Sequence, residues 1–329
     1  MDSLAPKLVT VFGGSGFVGT QVVQQLARRG HRVRVAVRRP NEALHLVMLG
    51  GEVGQVVLIQ ANVRNLASIE RAVAGADIVI NLVGVGYERG AQTFAAVHNQ
   101  GATVIADAAK RAGATHFVHM SALAVDRAAD VSVYAASKFA GEDGVLKAFP
   151  SAVIVRPSVL FGKGDGFFNL MGTLARYFPV LPLIGGDTRF QPAFVGDVAE
   201  AIAIAAEGKV EGGKAYELGG PQVESYRALM QRVLRESQRK RPLLPLPAGI
   251  AKLMALPFAF LPFPPLLTSD QVELLGVDNV VSDEAIRENR TFAAFGIVPT
   301  AMDTILPTYM WRFRKHGQFD KSEATTTPV

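Results

Sequence analysis

Two hydrophobic periods alternate through the first half of the chain. Short apolar runs at 8–12, 32–37, 56–60, 78–82, 116–120 and 152–156 predict strands. Between them, 17–29, 66–74, 92–112 and 134–147 carry apolar residues every three or four positions, which predicts helices. Strands that are apolar on both faces belong in a parallel sheet covered by helices on each side. The alternation therefore predicts an α/β fold built on a doubly wound parallel sheet.

The second half is less regular. It has proline-rich pieces at 242–247 and 257–265 and an isolated helical pattern at 225–238. These features predict a smaller C-terminal α/β lobe. The expected division is a dinucleotide-binding domain over 1–165, completed by elements near 190–220. An interleaved lobe follows over 166–317, with a solvated tail over 318–329. The chain has no internal repeat.

The first strand runs into a glycine cluster, Gly13-Gly14-Ser15-Gly16-Phe17-Val18-Gly19, and a helical pattern follows. Strand, tight turn and helix N-terminus together make a pyrophosphate site, which predicts a Rossmann domain. In this reading Gly13 permits the turn, Gly16 lets the backbone approach the ligand, and Gly19 allows helix to pack on strand. The alternative is a glycine turn that serves packing alone.

The second strand ends in Arg38-Arg39-Pro40, where an NAD site usually carries a carboxylate for the ribose hydroxyl. Two guanidinium groups favour a 2′-phosphate and hence NADP(H). The alternative is a solvated basic strand end. Asn62-Val63-Arg64 follows the third strand, in position for an adenine contact. Asn81-Leu82-Val83-Gly84 follows the fourth, in position to pass under the cofactor ribose.

Tyr134 and Lys138 stand four residues apart, on one face of a helix. An ammonium beside a phenol favours the phenolate, which equips Tyr134 as general acid or base for a carbonyl/alcohol pair. Ser121, at the end of the fifth strand, is a candidate hydrogen-bond partner for the carbonyl oxygen. The plainer reading of Tyr-x-x-x-Lys is a solvated helix face.

Composition narrows the chemistry. The 329 residues are 49% hydrophobic and 19% charged, which suits a globular chain with a substantial core. The absence of cysteine excludes disulfides, thiolate metal sites, Cys-ligated iron–sulfur clusters and Cys nucleophiles. The six histidines lack metal-ligand spacing, so no metal site is expected, and His116 and His119 read as structural. The N-terminal Met-Asp-Ser-Leu-Ala-Pro-Lys shows no signal-peptide pattern. A net charge of +5 favours anionic partners such as phosphates or a lipid surface. The basic stretches are poor in aromatics and fit no nucleic-acid motif.

Residues 243–267 are mostly apolar, but Lys252 and prolines 257, 262, 264 and 265 rule against a spanning helix. Either this segment lies on a membrane or a hydrophobic partner, or it is the core of the lobe. Arg232, Arg235, Arg239, Lys240 and Arg241 lie just upstream, in reach of anionic headgroups in the first reading. Trp311-Arg-Phe-Arg-Lys315 reads as a C-terminal helix docked on the lobe in preference to an interfacial anchor.

The glycine turn, Asn99-Gln-Gly-Ala-Thr103, Arg156-Pro157-Ser-Val-Leu-Phe-Gly162, Pro192-Ala-Phe-Val-Gly-Asp197-Val-Ala199 and Tyr216-Glu-Leu-Gly-Gly220 resemble segments of the extended and atypical short-chain dehydrogenase/reductases. That resemblance implies Tyr134 as acid/base, Lys138 on the nicotinamide ribose, Ser121 as carbonyl partner and Pro157 beside the nicotinamide. Asn62 stands where many of these proteins carry Asp, and Ala122 follows Ser121 where many active members carry Ser or Thr.

Pro264-Pro-Leu-Leu-Thr-Ser-Asp-Gln-Val-Glu-Leu-Leu275, Asp278-Asn-Val-Val-Ser282 and Leu306-Pro-Thr-Tyr-Met-Trp-Arg-Phe-Arg314 are similar to one branch. That branch is the NADPH-binding accessory subunits of respiratory complex I, the alpha subcomplex subunit 9 family. The resemblance implies a structural nucleotide outside the electron path, with other complex I subunits as partners. It also implies a peripheral place on the cytoplasmic side of a bacterial inner membrane, or on the matrix side in a mitochondrion. The alternative is a soluble NADP-dependent reductase or sugar-nucleotide epimerase using Tyr134, Lys138 and Ser121.

Overall fold

A computed structural model describes residues 6–255 and 267–317. The expected tail and the stretch 256–266 of the apolar segment lie outside the described residues. Six strands follow the apolar runs: β1 (Leu8–Phe12), β2 (Arg32–Val37), β3 (Val56–Gln60), β4 (Ile78–Asn81), β5 (His116–Met120) and β6 (Val153–Pro157). With the later strand Ala215–Leu218 they form one sheet. From one edge the order is β3, β2, β1, β4, β5, β6 and Ala215–Leu218. Every pairing in it is parallel. The order reverses between β1 and β4, and ligands of such sheets bind outside the carboxyl ends of the strands at that point.

Helices cover both faces. Helix α1 (Phe17–Arg28) and the helix Val195–Ala206 pack on one side, where Val22, Val23, Leu26, Val198 and Ile202 meet the strand residues Val9, Val11 and Ile80. On the other side lie α2 (Leu66–Val73), α3 (Ala102–Arg111) and the longer helix α5 (Val133–Ala148), which follows the short turn of helix α4 (Val125–Ala128). Ile69, Ile105 and Val145 pack there against Phe12, Val79 and Ile154. Burial on both faces is what the unbroken apolar runs required.

The predicted helix over 92–112 has a different first half. Residues Ala95–Gly101 wind as a π-helix before α3 begins. Here α5 comes very close: a Cβ on Gly141 would sit 2.1 Å from the His98 carbonyl oxygen, and one on Gly144 2.1 Å from Thr103 Oγ1. Spacing alone does not reveal the wider turn, because the apolar period barely changes across it. The segment Pro40–Leu49, which the pattern left unassigned, forms a 3₁₀-helix.

The lobe gathers the helices Phe167–Tyr177, Tyr226–Glu236 and Met302–Met310 around Phe168, Met171, Leu229 and Met310. Asp165 fastens it. One carboxylate oxygen accepts from the Phe168 amide at 2.7 Å, and the other accepts from the Tyr309 hydroxyl at 2.6 Å. Phe313 packs on Gly172 and Trp311 Nε1 donates to the Thr308 carbonyl, so the C-terminal aromatic segment is docked.

Arg232 corrects the sequence reading. It is buried and paired with Glu224 and Asp303, so it does not face solvent or headgroups. Arg239 and Arg241 likewise donate to the carbonyls of Phe313 and Ala175. Among the described residues no helix is long and apolar enough to cross a membrane.

Candidate functional site

Two cavities open at the carboxyl ends of the strands. The first, of about 250 Å³, lies over the ends of β1, β2, β3 and β4. Gly13, Ser15 and Gly16 form its floor, Arg38 closes one side, Asn62, Val63 and Arg64 another, and Leu82, Val83 and Gly84 a third. The segments expected to meet a dinucleotide are thus brought together.

Local geometry explains the glycines. Gly13 has φ +78°, a left-handed conformation that favours glycine. A Cβ there would also lie 3.0 Å from the Leu82 carbonyl carbon, so the turns after β1 and β4 touch through this position. A Cβ on Gly19 would sit 2.2 Å from the Gly13 oxygen. Gly19 therefore serves helix packing. Phe17, Val18 and Gly19 form the first turn of α1, next to the cavity-lining Gly16. No acidic residue occupies the first turn of α1, so its N-terminal dipole is uncompensated.

The arginine pair is split. Arg38 lines the cavity and donates to Gln92 Oε1 at 2.7 Å. Arg39 points away and pairs with Glu42 in solvent. Arg64, which also lines the cavity, supplies the second guanidinium and donates to the Ala91 carbonyl at 3.0 Å. Among the described residues no Asp or Glu lines this cavity.

The second cavity, of about 570 Å³, lies between the end of the sheet and the lobe. Ser121, Tyr134 and Pro157 line it, so Pro157 belongs here and not with the first cavity. Lys138 stands between the two spaces. Its Nζ donates to the Met120 carbonyl at 3.0 Å and would lie 3.4 Å from a Cβ on Gly84.

The electrostatics differ from the sequence expectation. Burial pushes the Tyr134 phenol up to about 12, and the nearby Asp270 carboxylate adds to the shift. Burial also brings Lys138 down to about 8, partly opposed by Glu142. Tyr134 is thus not held as a phenolate here: burial and the Asp270 carboxylate both favour the neutral phenol.

Three residues that the sequence did not mark out organise this site. His98 accepts from the Val85 amide at Nε2 (2.9 Å) and meets Ser137 Oγ at Nδ1 (2.9 Å). Ser137 Oγ also donates to the Tyr134 carbonyl at 2.7 Å, so His98 Nδ1 is the donor in its own contact. The imidazole packs edge-on to Tyr134 at 5.3 Å, and burial with the Lys138 charge lowers its pKa to about 3.

Asp270 accepts from the Ser132 hydroxyl and the Val133 amide at the start of α5. Asn279 accepts from Ser158 Oγ at 2.6 Å and donates to the Leu123 carbonyl at 3.1 Å. A lone His, Asp or Asn without periodicity gives no sequence signal of such contacts. They arise only when distant segments meet.

Arg156 lies behind the site. It forks onto Glu142 at 2.7–3.2 Å and reaches Asp126 at 2.7 Å, which ties α5, α4 and β6 together. His119 is buried, and burial holds its pKa well below the usual imidazole range. Among the described residues no group of His, Asp or Glu is arranged to hold a metal ion.

The comparisons with known proteins agree with this geometry. The NAD dependent epimerase/dehydratase family matches residues 9–219. NADH dehydrogenase [ubiquinone] 1 alpha subcomplex subunit 9 of Arabidopsis thaliana is 35% identical over 96% of this chain and 80% of its own length. The Rattus norvegicus protein of the same name is 32% identical over 100% of this chain and 86% of its own. Among solved structures, an NADPH-dependent quinone oxidoreductase from Escherichia coli complexed with NADPH superposes with a TM-score of 0.68. It covers 89% of this chain and 96% of that one at 18% identity, a likeness of fold alone. The chain belongs to the NAD dependent epimerase/dehydratase family and, within it, is a relative of the alpha subcomplex subunit 9 proteins along nearly its whole length.

Proposed function

We propose that this protein is an accessory subunit of NADH:ubiquinone oxidoreductase that holds NADPH as a structural nucleotide. The similarity to alpha subcomplex subunit 9 across 96% of the chain carries this reading. It extends through the lobe, where cofactor binding alone makes no demand. The segment 267–282 caps α5 through Asp270 and links β6 to the 122–124 turn through Asn279, so the fold itself uses it.

The first cavity would take the adenosine and pyrophosphate part of a dinucleotide. Gly13, Ser15 and Gly16 at the α1 N-terminus would hold the pyrophosphate. Asn62 and Val63 would meet the adenine, and Leu82, Val83 and Gly84 the ribose side. Arg38 and Arg64, with no carboxylate near, favour a 2′-phosphate over a 2′-hydroxyl. Lys138 would reach the nicotinamide ribose. NADPH, when bound, carries a transferable hydride. In an accessory role its binding energy adds instead to the stability of the fold.

Exposed Leu244, Ile250 and Leu253 supply an apolar surface for partner subunits or lipid, on the cytoplasmic or matrix side. The second reading is an independent NADP-dependent reductase. The buried Ser121 hydroxyl, which has no hydrogen-bond partner beside the larger cavity, favours it.

A native gel of mildly solubilised membranes, stained for NADH dehydrogenase activity and probed for this chain, tests the proposal. Co-migration with the large active complex is expected. A chain recovered only as a soluble monomer or small oligomer would falsify the accessory role.

A further inference from the structure

The larger cavity has an unusual lining. Its volume of about 570 Å³ suits a small-molecule ligand. Leu123, Phe167, Leu170, Leu267, Leu274 and Val277 are part of its apolar wall, and among the described residues no Asp, Glu, Lys or Arg lines it. The polar groups are unevenly free. Ser158 and Asn279 satisfy each other, and the Asn279 amide is also spent on the Leu123 carbonyl. Ser121 differs. It is 2% exposed and its hydroxyl has no partner among the described residues. Tyr134 lines the same cavity.

A buried hydroxyl without a partner costs stability unless a ligand or water satisfies it. A sugar nucleotide would bring a diphosphate, and burying that charge without a cation is expensive. Arg38 and Arg64 face the other cavity. The uncharged lining therefore favours a neutral, largely apolar molecule over a sugar nucleotide.

We propose that this cavity binds a neutral long-chain carbonyl compound, its oxygen accepting from Ser121 Oγ and its chain lying along the leucine and phenylalanine wall. The inference goes beyond the accessory role and rests on the second reading, whose cavity and Ser121 hydroxyl it uses.

Calorimetric titration of the purified full chain with 2-undecanone, undecane and UDP-glucose, each with and without saturating NADPH, tests it. Saturable 2-undecanone binding and no UDP-glucose heat are expected. Ser121→Ala should weaken 2-undecanone roughly five- to tenfold, the worth of one net hydrogen bond, and leave undecane unchanged. Leu170→Trp is a second variant. Leu170 is 37% exposed, so the fold tolerates the exchange, which should narrow the cavity. It should weaken the ketone and leave NADPH affinity unaltered.

Three results overturn the proposal: UDP-glucose displacing the ketone, no ketone binding, or ketone affinity indifferent to both variants. Ketone binding by a chain that does not bind NADPH would uphold this proposal and remove the nucleotide assignment.

Discussion

Asp270 holds the start of the helix that carries Tyr134: its carboxylate accepts from the Ser132 hydroxyl at 2.9 Å. It also accepts from the Val133 amide at 2.8 Å. The two residues lie 138 positions apart in sequence. Ser132 in turn caps α5, accepting from the Ala135 amide at 3.1 Å. A residue of the lobe thus anchors the sheet helix on which the Tyr–Lys pair is built.

Replacing Asp270 by Ala should therefore act on stability and on Tyr134 together. Loss of the cap should cost about 1–2 kcal/mol, read from denaturant unfolding. Removing a negative charge should also lower the Tyr134 pKa from about 12. The difference between phenolate titrations of Asp270→Ala with and without Tyr134→Phe isolates that group. An unmoved titration would contradict the assigned contact.

The two arginines after β2 should behave differently. Arg38 lines the first cavity and Arg39 does not. Arg38→Ala should weaken NADPH by one to two orders of magnitude, on the order of 1.5–3 kcal/mol for a charged hydrogen bond, and affect NADH little. Arg39→Ala should change neither appreciably. Fluorescence titration of both nucleotides decides the matter, and equal losses for NADPH and NADH would sink the 2′-phosphate reading.

Gly19 and Gly13 should fail for different reasons. A methyl on Gly19 meets the Gly13 oxygen, so Gly19→Ala should lower thermal stability by separating α1 from the sheet. Gly13→Ala forces an L side chain into φ +78° beside Leu82 and should cost about 1 kcal/mol or more. Nucleotide affinity should fall in both, while added NADPH should partly restore the melting temperature.

His98 predicts the acid limb of the stability profile. Its folded pKa is lowered to about 3, against about 6.5 for an unfolded histidine. Between these values the unfolded chain binds the extra proton, so stability is lost as pH falls below about 6.5. His98→Gln should flatten that limb, measured as urea midpoints from pH 7 to pH 4. Lys138 acts at the other end. Its folded pKa near 8 is also lowered, so its contribution becomes more favourable as pH rises from about 8 towards 10. In Lys138→Met that rise should vanish.

The apolar runs and the glycine turn were enough to specify the sheet and its ligand-binding end. Strands at 8–12, 32–37, 56–60 and 116–120 fall where the pattern put them. A strand buried on both faces has no alternative environment, so its composition determines its place. Gly13 and Gly19 were legible for the same kind of reason, because no other residue fits between β1, α1 and the turn after β4.

What the sequence could not decide depends on side chains meeting across long separations. The sequence placed Arg38 and Arg39 side by side, but the β2 end turns one towards the cavity and the other towards Glu42. It put an ammonium four residues from a phenol, yet burial shifts each of them towards its neutral form. His98, Asp270 and Asn279 became parts of the site only through partners up to 156 residues away. Periodicity records which face of an element is buried. Which polar group finds which partner there, and what desolvation does to its charge, belongs to the packed tertiary structure.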